Sequence, residues 1–196
     1  MATHIFVDNA NIFGGAHRAA KTVEPRVPWY AIRVYYENFF KVLEHDQKDI
    51  KTRVMGGSVP PGNDDLWDYA KKARYSTELL KRVNSDDGRL VEQGVDEVLQ
   101  LGIALALLDH KAPQTLVLGS GDGRKAQFGS SFRDLIARAF KLGWSVRVFA
   151  WKEQLSGKLR RLDCDTVDME IHELDPWYRS ITFVNEGRVV SKLTLP

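Results

Sequence analysis

Residues 4–13, HIFVDNANIF, and residues 115–123, TLVLGSGDG, decide how this chain is read. Each is a short apolar run that ends in an aspartate, Asp8 or Asp122, inside a turn of small polar residues. A brief, nearly continuous apolar run bounded by turn formers fits a strand buried on both faces, as strands of a parallel sheet are. A carboxylate at the carboxyl end of such a strand points into the crevice where open α/β sheets bind ligands. Two such carboxylates suggest a metal ion between them.

Working outward, residues 4–7 form the first strand, and residues 9–15 read as a loop because they tolerate unusual backbone angles. After Pro28 the run WYAIRVYYENFFKVLEHD predicts one long amphipathic helix, with Tyr30, Ile32, Val34, Tyr35, Phe39, Val42 and Leu43 along a broad face. A second strand is expected over 51–59. The turn Pro60-Pro61-Gly62 follows, and then a helix from the cap Asn63 to Arg74. A third strand is expected over 76–83, closed by Ser85-Asp86-Asp87-Gly88. VDEVLQLGIALALLDH, residues 95–110, is a densely apolar helix that must be mostly buried. Strand 115–119, helix 132–143 with Gly143 as its stop, and strand 145–151 complete the alternation. The order predicts an α/β fold with a parallel sheet covered on both faces. TVDMEIHEL (166–174) and ITFV-NEGR-VVSKLTL (181–195) read as strands, the latter pair as a hairpin. Residues 1–164 are therefore expected to form the domain, and 165–196 a C-terminal β appendage packed on it.

At 196 residues, with 43% hydrophobic and 10% aromatic content, the chain can bury a sizeable core. A formal charge of +2 from 28 basic and 26 acidic residues excludes a polybasic protein, so nucleic-acid contact would need a local patch. The single cysteine, Cys164, excludes an internal disulfide and a multi-cysteine zinc site, and reads as a small core residue in a reducing compartment. Asp8 comes too early for the apolar core of a signal peptide, and the most apolar helix is too short and too charged at its ends to span a membrane. The expectation is a soluble intracellular protein, cytoplasmic or nuclear. Trp29, Trp67, Trp144, Trp151 and Trp177 lie in patterned segments that favour core positions over base stacking.

Asp96 is the third informative acid. On helix 95–109 it begins an apolar stripe through Leu99, Ile103 and Leu107, where an ionised carboxylate needs a partner or the gain available to first-turn acids. Its alternative to capping is convergence with Asp8 and Asp122 on a divalent cation. All-carboxylate ligation suits Mg²⁺ or Mn²⁺, and no histidine spacing resembles a zinc motif. Gly119-Ser120-Gly121-Asp122-Gly123 has G-x-G-x-G spacing, not the dinucleotide fingerprint, and Asp122 would repel a phosphate unless a cation lay between them.

These motifs together resemble an NYN domain, a branch of the PIN-like ribonuclease superfamily. FVDNANIF is similar to the family's hydrophobic-D-x-x-N start, EQGVDEVL to its central helix entry, VLGSGDG to its S-G-D strand end, and Gly143-Trp144-Ser145-Val146 to its G-x-x-V segment. The resemblance spans about residues 3–160. It implies a three-layer α/β/α sandwich and metal-dependent, endonucleolytic cleavage of RNA. It also implies that Asp8, Asp96 and Asp122 are metal ligands, that Asn11 orients a ligand or phosphate, and that Ser120 hydrogen-bonds within the metal shell. Glu97 is a weaker candidate on another helix face. Arg124 stands where many relatives carry a second acid, and Asp134 is the nearest later one, equally readable as a helix-start acid.

RNA contacts are expected from Arg124, Lys125 and Arg133 beside the acidic loop, and from Lys152, Lys158, Arg160 and Arg161 after the last core strand. An RNA-binding adaptor that has lost productive metal geometry is the main rival reading. A metal-dependent phosphatase is a second, although no D-x-D follows the first strand. Exposed C-terminal strands would offer a homodimer or partner surface.

Overall fold

The alternation along the first strand sorts the molecule into layers. In β1 (Thr3–Asp8), Ile5 and Val7 enter one apolar core and Phe6 enters the other. The computed structural model describes residues 1–59, 64–81, 83–84, 90–91, 94–123, 130–163 and 169–195. After β1 come α1 (Asn9–Val23), a 3₁₀ turn (Trp29–Ala31), β2 (Ile32–Val34), α2 (Tyr36–Glu44), β3 (Ile50–Val59), α3 (Asp64–Lys72) and β4 (Ser76–Lys81). Two short strands, β5 (Val83–Asn84) and β6 (Leu90–Val91), pair with each other before α4 (Val95–Asp109) and β7 (Thr115–Gly119). α5 (Phe132–Lys141), β8 (Ser145–Ala150), α6 (Gly157–Asp163) and β9 (Met169–Glu173) follow. A 3₁₀ turn (Asp175–Trp177), α7 (Tyr178–Ile181) and β10 (Thr182–Val184) end the regular structure.

The central sheet has six strands in the order β4-β3-β1-β7-β8-β9, and every neighbouring pair is parallel. Residues of α1, α2, α3 and α7 share one core with Ile5, Val7, Met55, Val117 and Phe149. Residues of α4, α5 and α6 share the other with Phe6, Leu116, Leu118, Val146 and Val148. The result is a three-layer α/β/α sandwich. The chain winds outward from β1 to β4, then returns to the opposite side of β1 as β7, so the strand order reverses between β1 and β7. Ligands of open α/β sheets bind outside the carboxyl ends at that reversal.

Three segments differ from expectation. Residues 9–15 are helical, because Asp8 caps the segment and Ile12, Ala16, Ala19 and Ala20 bury one face. Gly15 is there for close approach, since a Cβ would lie 2.1 Å from Trp151 Cδ1. The expected long helix after Pro28 is instead a 3₁₀ turn, a strand and a shorter helix. Ile32 and Val34 are buried while Arg33 is half-exposed, a period of two satisfied by antiparallel pairing with Thr182–Val184. The C-terminal hairpin is also replaced. β9 extends the main sheet beside β8, β10 pairs with β2, and residues 189–195 form no strand. The buried amide of Asn38 holds that tail, donating to the Ser180 and Ser191 carbonyls at 2.7 and 3.0 Å and accepting from Leu193 N at 2.8 Å. The expected turns 60–62 and 85–88, the cap Asn63, and Cys164 lie outside the described residues. Among the described residues no helix is long and apolar enough to cross a membrane.

His4 lies at the opposite end of β1 from Asp8. It is fully buried, shares a 2.9 Å hydrogen bond through Nδ1 with the Thr52 hydroxyl, and packs 4.5 Å from His110 and 5.1 Å from Trp144. Burial, with help from His110, lowers its pKa from 6.5 to about 4. The unfolded chain therefore takes up a proton that the folded chain refuses. Stability from this residue is complete above about pH 6.5 and is lost as the pH falls toward about 4, to the extent of roughly 2–3 kcal/mol. Urea denaturation at pH 7 and pH 4.5 should show that loss in the wild type and a clearly smaller one in His4→Gln, whose amide can keep the Thr52 bond without titrating.

Candidate functional site

The site is built where β1 and β7 end side by side. Val7 pairs with Gly119, so the next residues of each strand, Asp8 and Ser120, face each other across the switch point. Asp8 is 4% exposed. One carboxylate oxygen accepts the Asn11 backbone N–H at 3.0 Å, which caps α1, and the other accepts the buried Ser120 hydroxyl at 3.0 Å. The Ser120 Oγ in turn accepts the Asp122 N–H at 3.2 Å. Asn11 completes the stitch by accepting the Gly121 N–H through its side-chain oxygen at 2.9 Å. Four of the residues singled out in the sequence, Asp8, Asn11, Ser120 and Asp122, thus form one connected hydrogen-bonded unit.

The glycines of the second motif serve this packing. A Cβ on Gly121 would lie 2.7 Å from the Gln154 carbonyl oxygen, and one on Gly123 would lie 2.5 Å from Ser156 Oγ. Ser156 N donates to the Gly121 carbonyl at 2.9 Å and fixes the loop against the chain leaving β8. The Gln154 backbone beside Gly121 and the Ser156 side chain beside Gly123 account for these two glycines without a phosphate.

Asp96 comes to the same end of the sheet from the α4 layer. Gly94, with φ +85°, turns the chain into α4. One turn in, Leu99 lies over Gly56, where a Cβ would come within 2.8 Å of its Cγ. Gly56 is the register partner of Asp8. Asp96, one turn before Leu99, stands toward the strand ends, half-buried like Glu97 in the first turn of the helix. Among the described residues no three His, Cys, Asp or Glu side chains form a group already able to hold a metal ion.

Asp134 resolves as a capping acid. It accepts the Ser131 N–H and hydroxyl at 3.1 and 2.8 Å in a capping box that starts α5. Arg133, Lys152, Lys158, Arg160 and Arg161 are all exposed. Arg160 is engaged with Glu173 at 3.4 Å and the Lys152 carbonyl at 3.3 Å, while Arg133 lies 3.9 Å from Asp134. Arg124 and Lys125 lie outside the described residues. A separate cleft of about 810 Å³ between α2, α3 and the C-terminal tail shares no lining residue with the strand-end unit.

Two supporting residues escaped the sequence reading. Tyr36, buried, donates its hydroxyl to the Asn9 side-chain oxygen beside Asp8, and burial raises its pKa. Trp151 donates its indole N–H to the Ile12 carbonyl at 2.8 Å and pins the first turn of α1 to the end of β8. Neither has a local signal, because both partners are distant in sequence. Trp67, Trp144 and Trp151 are core residues as expected, but Trp29 is 51% exposed.

No family model and no curated protein matches the chain. A crystal structure of a protein of unknown function from Vibrio parahaemolyticus is similar, with a TM-score of 0.60 over 89% of this chain and 94% of that one, at 15% identity. At that identity the likeness shows the fold alone.

The double use of Asp8 separates its charge from its shape. Asn caps helices as well as Asp does but turns an amide NH₂ toward the Ser120 hydroxyl in place of an acceptor, so Asp8→Asn should cost about 1 kcal/mol of stability. Asp8→Ala loses the cap and strips the buried Ser120 hydroxyl of its acceptor, and should cost about 2–3 kcal/mol. Paired chemical denaturation curves at pH 7 check the difference.

Proposed function

We propose that this protein is a divalent-metal-dependent endoribonuclease whose active centre is the acidic end of β1 and β7. The observation that carries the reading is the buried Asp8 carboxylate at the topological switch point, hydrogen-bonded into one unit with Asn11, Ser120 and Asp122. The resemblance to NYN domains supports the same assignment from the sequence.

The donor set fits a hard cation. Asp8, Asp96 and Asp122 offer carboxylate oxygen only, which suits Mg²⁺ or Mn²⁺ over metals that prefer nitrogen or sulfur. When bound, such an ion neutralises charge on a scissile phosphate and lowers the pKa of a coordinated water. The chain's own contribution is positioning. Ser120 and the Asn11 N–H hold the Asp8 carboxylate in one orientation before any ligand arrives. Asn11 and Ser120 fix the Gly121–Asp122 backbone, so Asp122 is carried on a loop with little freedom. Asp96, in the first turn of α4, would be the third ligand. Exposed Arg133, Lys152, Lys158 and Arg161 offer phosphate contacts that carry no sequence information.

Asp8→Asn and Asp122→Asn should each lower the rate of RNA cleavage by at least about 10²-fold, as expected for loss of several kcal/mol of metal-assisted stabilisation. Circular dichroism spectra should stay unchanged. Chelation by EDTA should abolish cleavage of a labelled RNA oligonucleotide, and added Mn²⁺ should restore it. Wild-type rates in both variants would overturn the assignment. RNA bound but uncut at every metal concentration would favour the adaptor reading.

A further inference from the structure

α1 leads away from the acidic strand ends and carries aromatic rings with it. Asn9, Phe13 and His17 are spaced by one turn and share a helical face. The Phe13 and His17 rings lie 4.2 Å apart, the His17 and Trp29 rings 5.2 Å, and the Trp29 and Tyr30 rings 5.9 Å. Successive rings are inclined by 61°, 60° and 78°, so they form a staircase, not a closed stack. The two outer rings are open to solvent, Trp29 at 51% and Tyr30 at 64%. Exposed large aromatics side by side at the end of a ring track are unlike the single surface apolar residues that need no explanation.

Their backbone is held firmly. His17 Nε2–H donates to the Ile32 carbonyl at 3.1 Å, Arg33 donates to the carbonyls of Tyr30 and Ile32, and Asn185 N donates to the Ala31 carbonyl at 2.8 Å. The flanking charge is cationic. Arg18, Lys21 and Arg26 are exposed and Arg33 half-exposed, whereas the acid in this stretch, Glu24, is engaged by Arg188 at 3.0 Å and Arg179 at 3.2 Å. Rigid aromatic faces within a cationic surround are what sequence-tolerant binding of unpaired bases requires.

We propose that Trp29 and Tyr30 are a stacking platform for the bases of single-stranded RNA, with Phe13 and His17 continuing the track to the strand-end acids. This rests on the reading of the protein as one that acts on RNA, and names the strand state of the substrate. A single strand offers free base faces, whereas a duplex hides them in its own stack.

The test measures binding without catalysis. The Asp8→Asn protein in EDTA is titrated with a fluorescently labelled single-stranded RNA of about twelve nucleotides and with the same sequence as a duplex. Adding Trp29→Ala or Tyr30→Ala should weaken single-strand binding by about 5- to 150-fold, as for loss of one stacked base. Trp29→Phe should recover most of it, and duplex binding should stay the same. Unchanged single-strand affinity in both alanine variants would overturn the platform and leave the nuclease reading standing. An equal loss for duplex would overturn base stacking in favour of charge alone. Self-association of the wild type in sedimentation velocity that Trp29→Ala abolishes, with RNA affinity intact, would reassign the patch to a protein contact. No binding of the parent protein to either RNA would overturn the platform, and metal-dependent cleavage by the wild type decides the RNA reading separately.

Discussion

The Asp8 carboxylate is the constraint on which the rest depends. It ends the central strand, caps the helix that follows, and accepts the hydroxyl of the residue opposite it on β7. A carboxylate excluded from water must be compensated by hydrogen bonds, and here the compensation comes from both halves of a doubly wound sheet. The two halves are therefore locked at the point where their crossovers diverge. Asn11 repeats the connection one turn into α1.

That lock sets demands on more distant residues. α1 can start at Asp8 only if its first turns lie close to the end of β8, which Gly15 permits and Trp151 secures. The β7 loop can meet Asp8 only if it also passes close to Gln154 and Ser156, which Gly121 and Gly123 permit. Neither helical nor turn propensity accounts for these glycines. They are places where a backbone, an indole ring or a serine side chain comes too near for a Cβ.

Much of this was legible in the sequence because the main sheet is buried on both faces. β1, β7 and β8 are largely apolar runs of strand length, and with the more mixed β3 and β4 their alternation with helices leads to the sandwich directly. Asp8, Ser120 and Asp122 were legible for the same reason, as polar residues placed where such runs stop. What stayed hidden depended on contacts far along the chain. Asn9, Asn11, Gly14 and Gly15 look like loop formers until Asp8 is seen to cap them. Ile32 and Val34 sit within a stretch whose apolar residues also fit a helix, and only Thr182–Val184 gives them a strand partner. Trp29 belongs to that same stretch, so its exposure was as hidden as the turn that presents it.

The pairing of β2 with β10 joins residues 32–34 to residues 182–184, and Glu24 meets Arg188 nearby. During synthesis the N-terminal member of each pair waits for roughly 150 further residues to be made. At ribosomal speeds that wait is roughly 10–30 s. β1, β3, β4, β7 and β8 can assemble as the chain emerges, whereas the segment that presents Trp29 and Tyr30 has the bonds of His17 and Arg33 early and gains its strand partner only with β10. The central sheet is thus laid down progressively from β1 onward, whereas the aromatic rim is finished only after β10 has joined β2.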